Sequence, residues 1–348
     1  MTKFMRMAAI SLVAVVWWSR GVRADPVEDC GQTDNPDLQV VACTEVIRTA
    51  PVDVDLGDIR FFRATAYLLK QDWANAEADF TAAIDRHSRD ADSYAGRCLA
   101  NVSMDKYEPA IADCTKAIAL DPAESDAFVN RGIAYGAISD LDRAIADFTK
   151  AIDADPKDSA AYTNRAAALE KQGARDSAIA DFSKVIQLEP QNAAALINRG
   201  HALNAKGDYA SAIGDFTKAI ALDPALSEAY AGRAQAYEAA QDIAHALADT
   251  SKLIAIDPKA ASAYADRARL YVFQGQAKLA LTDAEQAAKL DPDDPEIFHT
   301  KGQVLESLGR RKAAIADYRT ALSLKLRSDD SQAHAASRNA LEKLGAKP

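Results

Sequence analysis

The chain has 348 residues, a hydrophobic fraction of 49%, an aromatic fraction of 7% and a formal net charge of -10. This length exceeds that of an ordinary single domain unless the chain grows by repetition. The abundant Ala favours packed helices over a β-sheet, because Ala is the best helix former and a poor strand former. An acidic surface repels phosphate backbones, so nucleic acid is not an expected partner.

The first 24 residues have the pattern of a secretory signal peptide. Lys3 and Arg6 form a charged start, and the apolar run at 8–18 is short for a membrane span. We expect cleavage after Ala24, no membrane span in the remainder, and a periplasmic or secreted protein. Arg20 and Arg23 are atypical near a cleavage site, so a retained membrane anchor is the alternative.

Residues 25–56 are predicted to form an N-terminal cap. Their second half, DLQVVACTEVIRTAP, is amphipathic, ends at Pro51 and carries Cys43. It matches the second half of the unit that repeats in the following residues, so we interpret it as a partial repeat.

A 34-residue period runs through residues 57–328. AIADFTKAI begins at Ala144, and close copies of it precede and follow at the same spacing. Six prolines are also 34 residues apart, and they define eight frames: 57–90, 91–124, 125–158, 159–192, 193–226, 227–260, 261–294 and 295–328. Residues 329–348 then form a predicted amphipathic capping helix.

Within each frame, apolar positions recur at spacings of three, four and seven, which is typical of two amphipathic helices. The twentieth place is always Ala, the eighth is small, the fourth is usually Tyr or Phe, and the twenty-fourth is often Phe. Proline closes the second helix in six of the eight frames. Thr250 and Ala284 replace Phe at the twenty-fourth place, which predicts looser packing there.

These recurring residues and their spacing resemble the tetratricopeptide repeat, a 34-residue helix–turn–helix unit. The resemblance covers about 270 residues and implies an all-α, right-handed superhelical solenoid. In such a solenoid each repeat is stabilised by stacking on its neighbours. The family further implies a concave groove lined by the first helices of the repeats.

A basic and an acidic residue recur at the seventh and twenty-third places of all eight frames. We predict structural Arg–Asp ion pairs between helices, because Arg presents a fork that fits a carboxylate and catalytic sites are not built eight times over. In three central frames, the residues are Arg131, Asp147, Arg165, Asp181, Arg199 and Asp215.

The four cysteines permit two disulfides in an exported protein. Cys98 and Cys114 occupy the eighth and twenty-fourth places of one frame, which face each other in the family that this chain resembles. The resemblance therefore implies Cys98–Cys114, and Cys30–Cys43 in the cap. Two reduced core thiols remain the alternative at 98 and 114.

The family resemblance also implies which places line the groove. The sixth place carries Asn130, Asn164 and Asn198 in three successive frames. We interpret these amides as a ladder that can hydrogen-bond a peptide backbone. The alternative is that each Asn caps local polar groups. Other predicted lining residues are Val129, Ile133, Ile197, His201, Phe61 and Phe62. For Phe61 and Phe62, burial under the N-terminal cap is the alternative. The residues predicted to line the rear of the groove are of mixed polarity, and a solvent-exposed face is the alternative interpretation for them. They are Arg269, Val272, Phe273, His299, Gln303 and Glu306.

No catalytic constellation is evident in the sequence. The histidines lie in different frames, and no phosphate-binding loop or nucleophile elbow is present. We therefore predict a non-catalytic scaffold that binds an extended peptide or a partner helix and needs no metal or cofactor. The alternatives are a self-associating, homo-oligomeric envelope assembly factor, and a non-catalytic subunit of an envelope enzyme complex.

Overall fold

The computed structural model describes residues 26–32, 34–87, 90–325 and 331–347. The predicted signal peptide and its cleavage site lie outside these residues. The described part of the chain is all-α, as predicted, and contains nineteen helices. None of the helices within these ranges is both long and apolar enough to cross a membrane.

The chain divides into two compact units, the first ending at Pro190 and the second beginning at Gln191. The helices of the first unit are α1 (Pro26–Gln32), α2 (Pro36–Thr49), α3 (Leu56–Leu69), α4 (Trp73–Arg86), α5 (Ala91–Ser103), α6 (Tyr107–Leu120), α7 (Ser125–Ala137), α8 (Leu141–Ala154), α9 (Ser159–Gln172) and α10 (Arg175–Leu188). Each helix packs against the next in chain order.

The second unit is built in the same way. Its helices are α11 (Ala193–Lys206), α12 (Tyr209–Leu222), α13 (Ser227–Ala239), α14 (Ile243–Ile256), α15 (Ala261–Phe273), α16 (Ala277–Leu290), α17 (Pro295–Ser307), α18 (Arg311–Ser323) and α19 (Ser331–Lys343). Each 34-residue frame contains one pair of helices. The final helix, α19, packs on both α17 and α18.

The periodic residues explain why the two helices of a frame pack closely. All eight Ala residues at the twentieth place are completely buried. The aromatic residue at the twenty-fourth place packs against a small residue at the eighth: a Cβ added to Gly132 would lie 2.7 Å from the Phe148 ring. The same aromatic also contacts the sixth place of the next frame, where a Cβ on Gly232 would lie 2.4 Å from Phe216. Gly is therefore required at these two positions beside the Phe148 and Phe216 rings.

The turn between the two helices of a frame has one fixed backbone conformation. The fifteenth place has a positive φ in all eight frames, although only four of these residues are Gly: Gln71, Asp105, Ser139, Gly173, Gly207, Gln241, Gly275 and Gly309. In four frames the next residue is an Asp whose carboxylate caps the second helix. The turn is thus set by backbone geometry and capping more than by one residue type.

The predicted ion pairs form. In the first seven frames, Arg at the seventh place bonds both carboxylate oxygens of Asp at the twenty-third, with N–O distances of 2.6 to 3.0 Å. Lys301 replaces Arg in the last frame and lies 3.3 Å from Asp317. Hydrogen bonding to Asp147 raises the pKa of Arg131, and the other six arginines behave alike.

The third guanidinium nitrogen also bonds a hydroxyl at the twenty-fifth place of the preceding frame in Arg97, Arg131, Arg165, Arg233 and Arg267. Arg131 Nη1 lies 3.0 Å from Thr115 Oγ1, and Arg63 Nη1 lies 3.0 Å from Thr44 Oγ1 in α2. Thr44 thus occupies the place of the twenty-fifth residue, which supports the interpretation of the cap as a partial repeat. Sequence reasoning did not identify this recurring hydroxyl.

Both predicted disulfides, Cys30–Cys43 and Cys98–Cys114, are present. The first joins α1 to α2, and its sulfurs pack with Val46, Ile59 and Phe62. Phe61 packs edge-on against Phe80 at 5.9 Å. Both Phe61 and Phe62 therefore lie in packed clusters, and for Phe62 the alternative of burial under the cap is correct.

Asp181→Ala is expected to lower the free energy of unfolding by about 3 kcal/mol, because it leaves Arg165 without its carboxylate in a largely buried interface. Urea unfolding followed by circular dichroism measures the change. Asp85→Ala, which removes an exposed acid from α4, is the matched control and should cost little. Equal midpoints for the two variants would contradict the structural role of the pair.

The double variant Cys98→Ala/Cys114→Ala is expected to lose about 3 kcal/mol of stability, the chain-entropy value for a short loop. Cys114 stands where Phe148 stands in the next frame, so the variant also lacks an aromatic ring to hold α5 on α6. Hydrogen exchange should therefore accelerate first in α5 and α6. Unaltered exchange in these two helices would show that the disulfide contributes nothing to their packing.

Candidate functional site

The predicted amide ladder is not open to a ligand in the first unit. Asn130 and Asn164 are only 4% and 3% exposed. The Asn164 side-chain nitrogen donates to the Ala160 carbonyl at 3.0 Å, as the local-cap alternative requires. Their placement in an open groove is wrong, because the sixth place faces the packed residue at the twenty-fourth place of the preceding frame. Asn198, in the second unit, is half-buried.

The predicted aliphatic lining is also part of the core. Val129, Ile133 and Ile197 are each 5% exposed or less. Val129 and Ile133 pack in one cluster with Cys98, Cys114 and other residues of α5 to α8. Neighbouring first helices such as α5 and α7 pack directly on one another, and this contact covers side chains that were predicted to line a groove.

His201 lies at the edge of the packed region rather than in a hollow. Its ring meets Phe216 edge-on at 5.1 Å, and its Nε2 atom lies 3.8 Å from a carboxylate oxygen of Glu228. Partial burial lowers the pKa of His201, with Glu228 opposing the shift. The imidazole is therefore neutral at pH 7 and acts as a packing partner of Phe216.

An exposed aromatic ring marks a different surface, on the second unit. Phe273 is the last residue of α15, and 66% of it is exposed. It borders two hollows, of about 520 Å³ and about 600 Å³. The first hollow is lined by Arg269, Val272, Phe273, Thr300, Gln303, Val304, Glu306 and Ser307. The second is lined by Gln235, Glu238, Ala239, Gln241, Ile243 and Phe273.

We call this surface the α13–α17 wall, since most of its residues come from α13, α15 and α17; Gln241 lies in the turn after α13, and Ile243 begins α14. The ninth, twelfth and thirteenth places of three consecutive frames supply most of them. These places recur on one side of a helix at spacings of three and four residues. The wall therefore follows from the same periodicity that builds the core.

The first hollow lies where the repeat lacks its aromatic residue. Ala284 occupies the twenty-fourth place, where Phe148 and Phe216 fill the interface in other frames, and it packs against Val304. Thr300 occupies the sixth place of the next frame, which elsewhere contacts that ring. Thr300 and Val304 border the first hollow, whereas Ala284 itself is 1% exposed and does not line it.

The polar groups of the wall are held in fixed positions. Arg269 bonds the carboxylates of Glu238 and Asp266, the latter at 3.1 Å. Surrounding protein atoms, together with the charge of Glu296, raise the pKa of Asp266 to about 6. On α17, Glu306 accepts a hydrogen bond of 2.9 Å from the Tyr318 hydroxyl. Burial raises the pKa of Tyr318, so the hydroxyl remains a donor.

Comparison with known families agrees with this architecture. Family models described as tetratricopeptide repeat match residues 129–193, 193–226, 261–294 and 295–327. The chain is a tetratricopeptide repeat (TPR) protein. None of the curated proteins matches it.

Solved TPR structures share the fold of this TPR protein at low sequence identity. A C-terminal part of a TPR repeat-containing protein from Cytophaga hutchinsonii is 20% identical with a TM-score of 0.60, and covers 69% of this chain and 98% of its own. A TPR protein from Parabacteroides merdae is 19% identical with a TM-score of 0.52, covering 81% and 99%. PilW, a type IV pilus biogenesis factor, is 20% identical with a TM-score of 0.52, covering 61% and 98%.

Most of the residues predicted for the rear of the groove border a hollow, whereas Asn130 and Asn164 are buried. Arg269, Val272, Phe273, Gln303 and Glu306 line the first hollow, whereas His299 does not. The His299 ring bonds the Ser337 hydroxyl of α19 at 2.9 Å, so the C-terminal cap occupies it. Sequence reasoning missed Glu238 and Asp266. Thr250 and Ala284 are 2% and 1% exposed, and the looser packing expected at these places stays a prediction.

Proposed function

We propose that this TPR protein is a non-catalytic scaffold that binds a segment of another protein on the α13–α17 wall. The observation that carries the proposal is Phe273, a large apolar side chain left 66% exposed between two hollows. Exposed apolar groups at concave, polar-rimmed surfaces mark interaction sites. The ligand is an extended peptide or a partner helix.

The composition of the wall favours a polypeptide ligand. Gln235 and Gln303 present amides that both donate and accept hydrogen bonds, which is what a peptide backbone or side chain requires. Val272 provides partly exposed apolar surface beside them. The two hollows on either side of Phe273 suit successive side chains of one segment.

The arrangement of the charged groups of the wall favours ligand binding over catalysis. Glu238 and Asp266 share Arg269, and Glu306 is bonded by Tyr318. A general base or nucleophile needs a partner that activates it and a site for the reacting atom. The contacts of these carboxylates instead fix their orientation, which supports a binding role.

We further propose that the protein acts outside the cytoplasm. Its two disulfides support this, because such bonds persist in oxidising compartments and are rare in the cytosol. The first disulfide joins α1 to α2 within the N-terminal cap, and the second joins α5 to α6 within one repeat.

Cell fractionation is expected to recover the protein in the periplasmic or extracellular fraction with no thiol available to maleimide. Denaturation before labelling exposes every cysteine, so the measurement counts free thiols directly. Recovery in the cytosol with four reactive thiols would contradict both the location and the paired state.

A photo-cross-linking residue placed at Phe273 is expected to capture a partner in the native host. The matched control is the same residue at Leu279, which is 51% exposed on α16 and lies outside both hollows. Adducts specific to position 273, with their masses, identify the partner and distinguish another protein from a second copy of this chain. Identical adduct patterns at the two positions would contradict a binding role for the wall.

A further inference from the structure

We infer that the bound segment is cationic as well as apolar: it presents Lys or Arg to Glu306 beside an apolar side chain packed on Phe273. This inference rests on the proposed function and specifies its ligand. Both residues line the same hollow, so a single segment contacts them together.

Glu306 is held in place while remaining able to bind. Its Oε2 atom accepts the Tyr318 hydroxyl at 2.9 Å, and the residue as a whole is exposed. A carboxylate has about four acceptor sites, so one hydrogen bond leaves room for a further donor. The hydroxyl comes from a residue that is 1% exposed, and it restricts where the carboxylate points.

The charge of the wall favours a cation. Among the residues that line the two hollows, Glu238 and Glu306 are acidic and Arg269 alone is basic, and Arg269 is already bonded to Glu238 and to Asp266 beside the wall. In the described parts of the chain, Glu306 takes part in no ion pair. A Lys or Arg from a ligand would therefore gain an ion pair at Glu306 without displacing an existing one.

Phe273 provides the second half of the recognition. An exposed aromatic ring binds an apolar side chain by area burial and binds a guanidinium or ammonium group through its face. The carboxylate and the ring together select a side chain that joins an apolar stem to a positive head, or two adjacent side chains that divide these roles. An acidic segment meets like charge at Glu306.

The test is a selection of random twelve-residue peptides displayed on phage against the full chain, with counter-selection on Phe273→Ala. Selected peptides are synthesised, and their affinities are measured by fluorescence anisotropy. We expect Phe273-dependent peptides to carry Lys or Arg next to an apolar residue. We also expect weaker binding at higher salt, because partly exposed charge pairs are screened.

Glu306→Gln should weaken these peptides about tenfold, the scale of one charge-assisted contact. The amide oxygen of Gln still accepts the Tyr318 hydroxyl, so the variant should keep the packing of α17 on α18. Glu285→Gln removes an equal charge from an exposed position on α16 that lines neither hollow, and it should leave affinity unchanged. Equal thermal melting of the two variants confirms that folding is unaffected.

Two outcomes overturn the inference in different ways. Phe273-dependent peptides that lack basic residues and bind Glu306→Gln as tightly as the original chain would contradict the cationic ligand while leaving the scaffold function in place. A selection that yields no Phe273-dependent peptide would contradict the ligand and would also count against binding on the α13–α17 wall.

Discussion

The packing of each unit depends on one interaction, the buried Arg–Asp pair that recurs in every frame but the last. Its carboxylates are only 3% to 7% exposed, so each charge is stable only with its partner in place. The same Arg also bonds a hydroxyl of the preceding frame, as Arg131 does with Thr115. A single side chain thereby fixes the two helices within a repeat and the register of that repeat on its neighbour. Non-directional burial of Ala and Phe alone would tolerate sliding of one helix on another; the guanidinium fork does not.

The second constraint is the matching of large and small residues around the twenty-fourth place. Phe216 is accommodated by Gly200 in its own frame and by Gly232 in the next. In the frame where Ala284 replaces the ring, the sixth place of the next frame is Thr300. Thr300 and Val304 border a hollow of about 520 Å³. The loss of the ring leaves the Arg267–Asp283 pair of the same frame intact.

The sequence predicts those features that depend on the 34-residue period, and it does not predict those that depend on the distance between helices. Strict recurrence revealed the frames, the ion pairs and the helix-closing prolines, because each of them is a local or one-frame property. The exposure of Asn130 and Val129 was predicted wrongly, because it depends on how closely one first helix approaches the next, and that distance is not encoded by the period. Phe273 was predicted to line the groove, but its high exposure and its position between two hollows follow only from the structure. The partner of Glu306, Tyr318, lies on another helix and was not foreseen from spacing.

Loss of the aromatic ring at the twenty-fourth place has different consequences in the two units. In the first, Cys114 replaces the ring and bonds covalently to Cys98, so the helices stay joined and both sulfurs are completely buried. In the second, Thr250 turns its hydroxyl to the Ala246 carbonyl of its own helix, and Ala284 offers a methyl group alone. Neither residue restores the missing volume. In both units the change at the twenty-fourth place removes an aromatic ring without leaving a buried charge unpaired, and the Arg–Asp pair of each of these frames persists beside it.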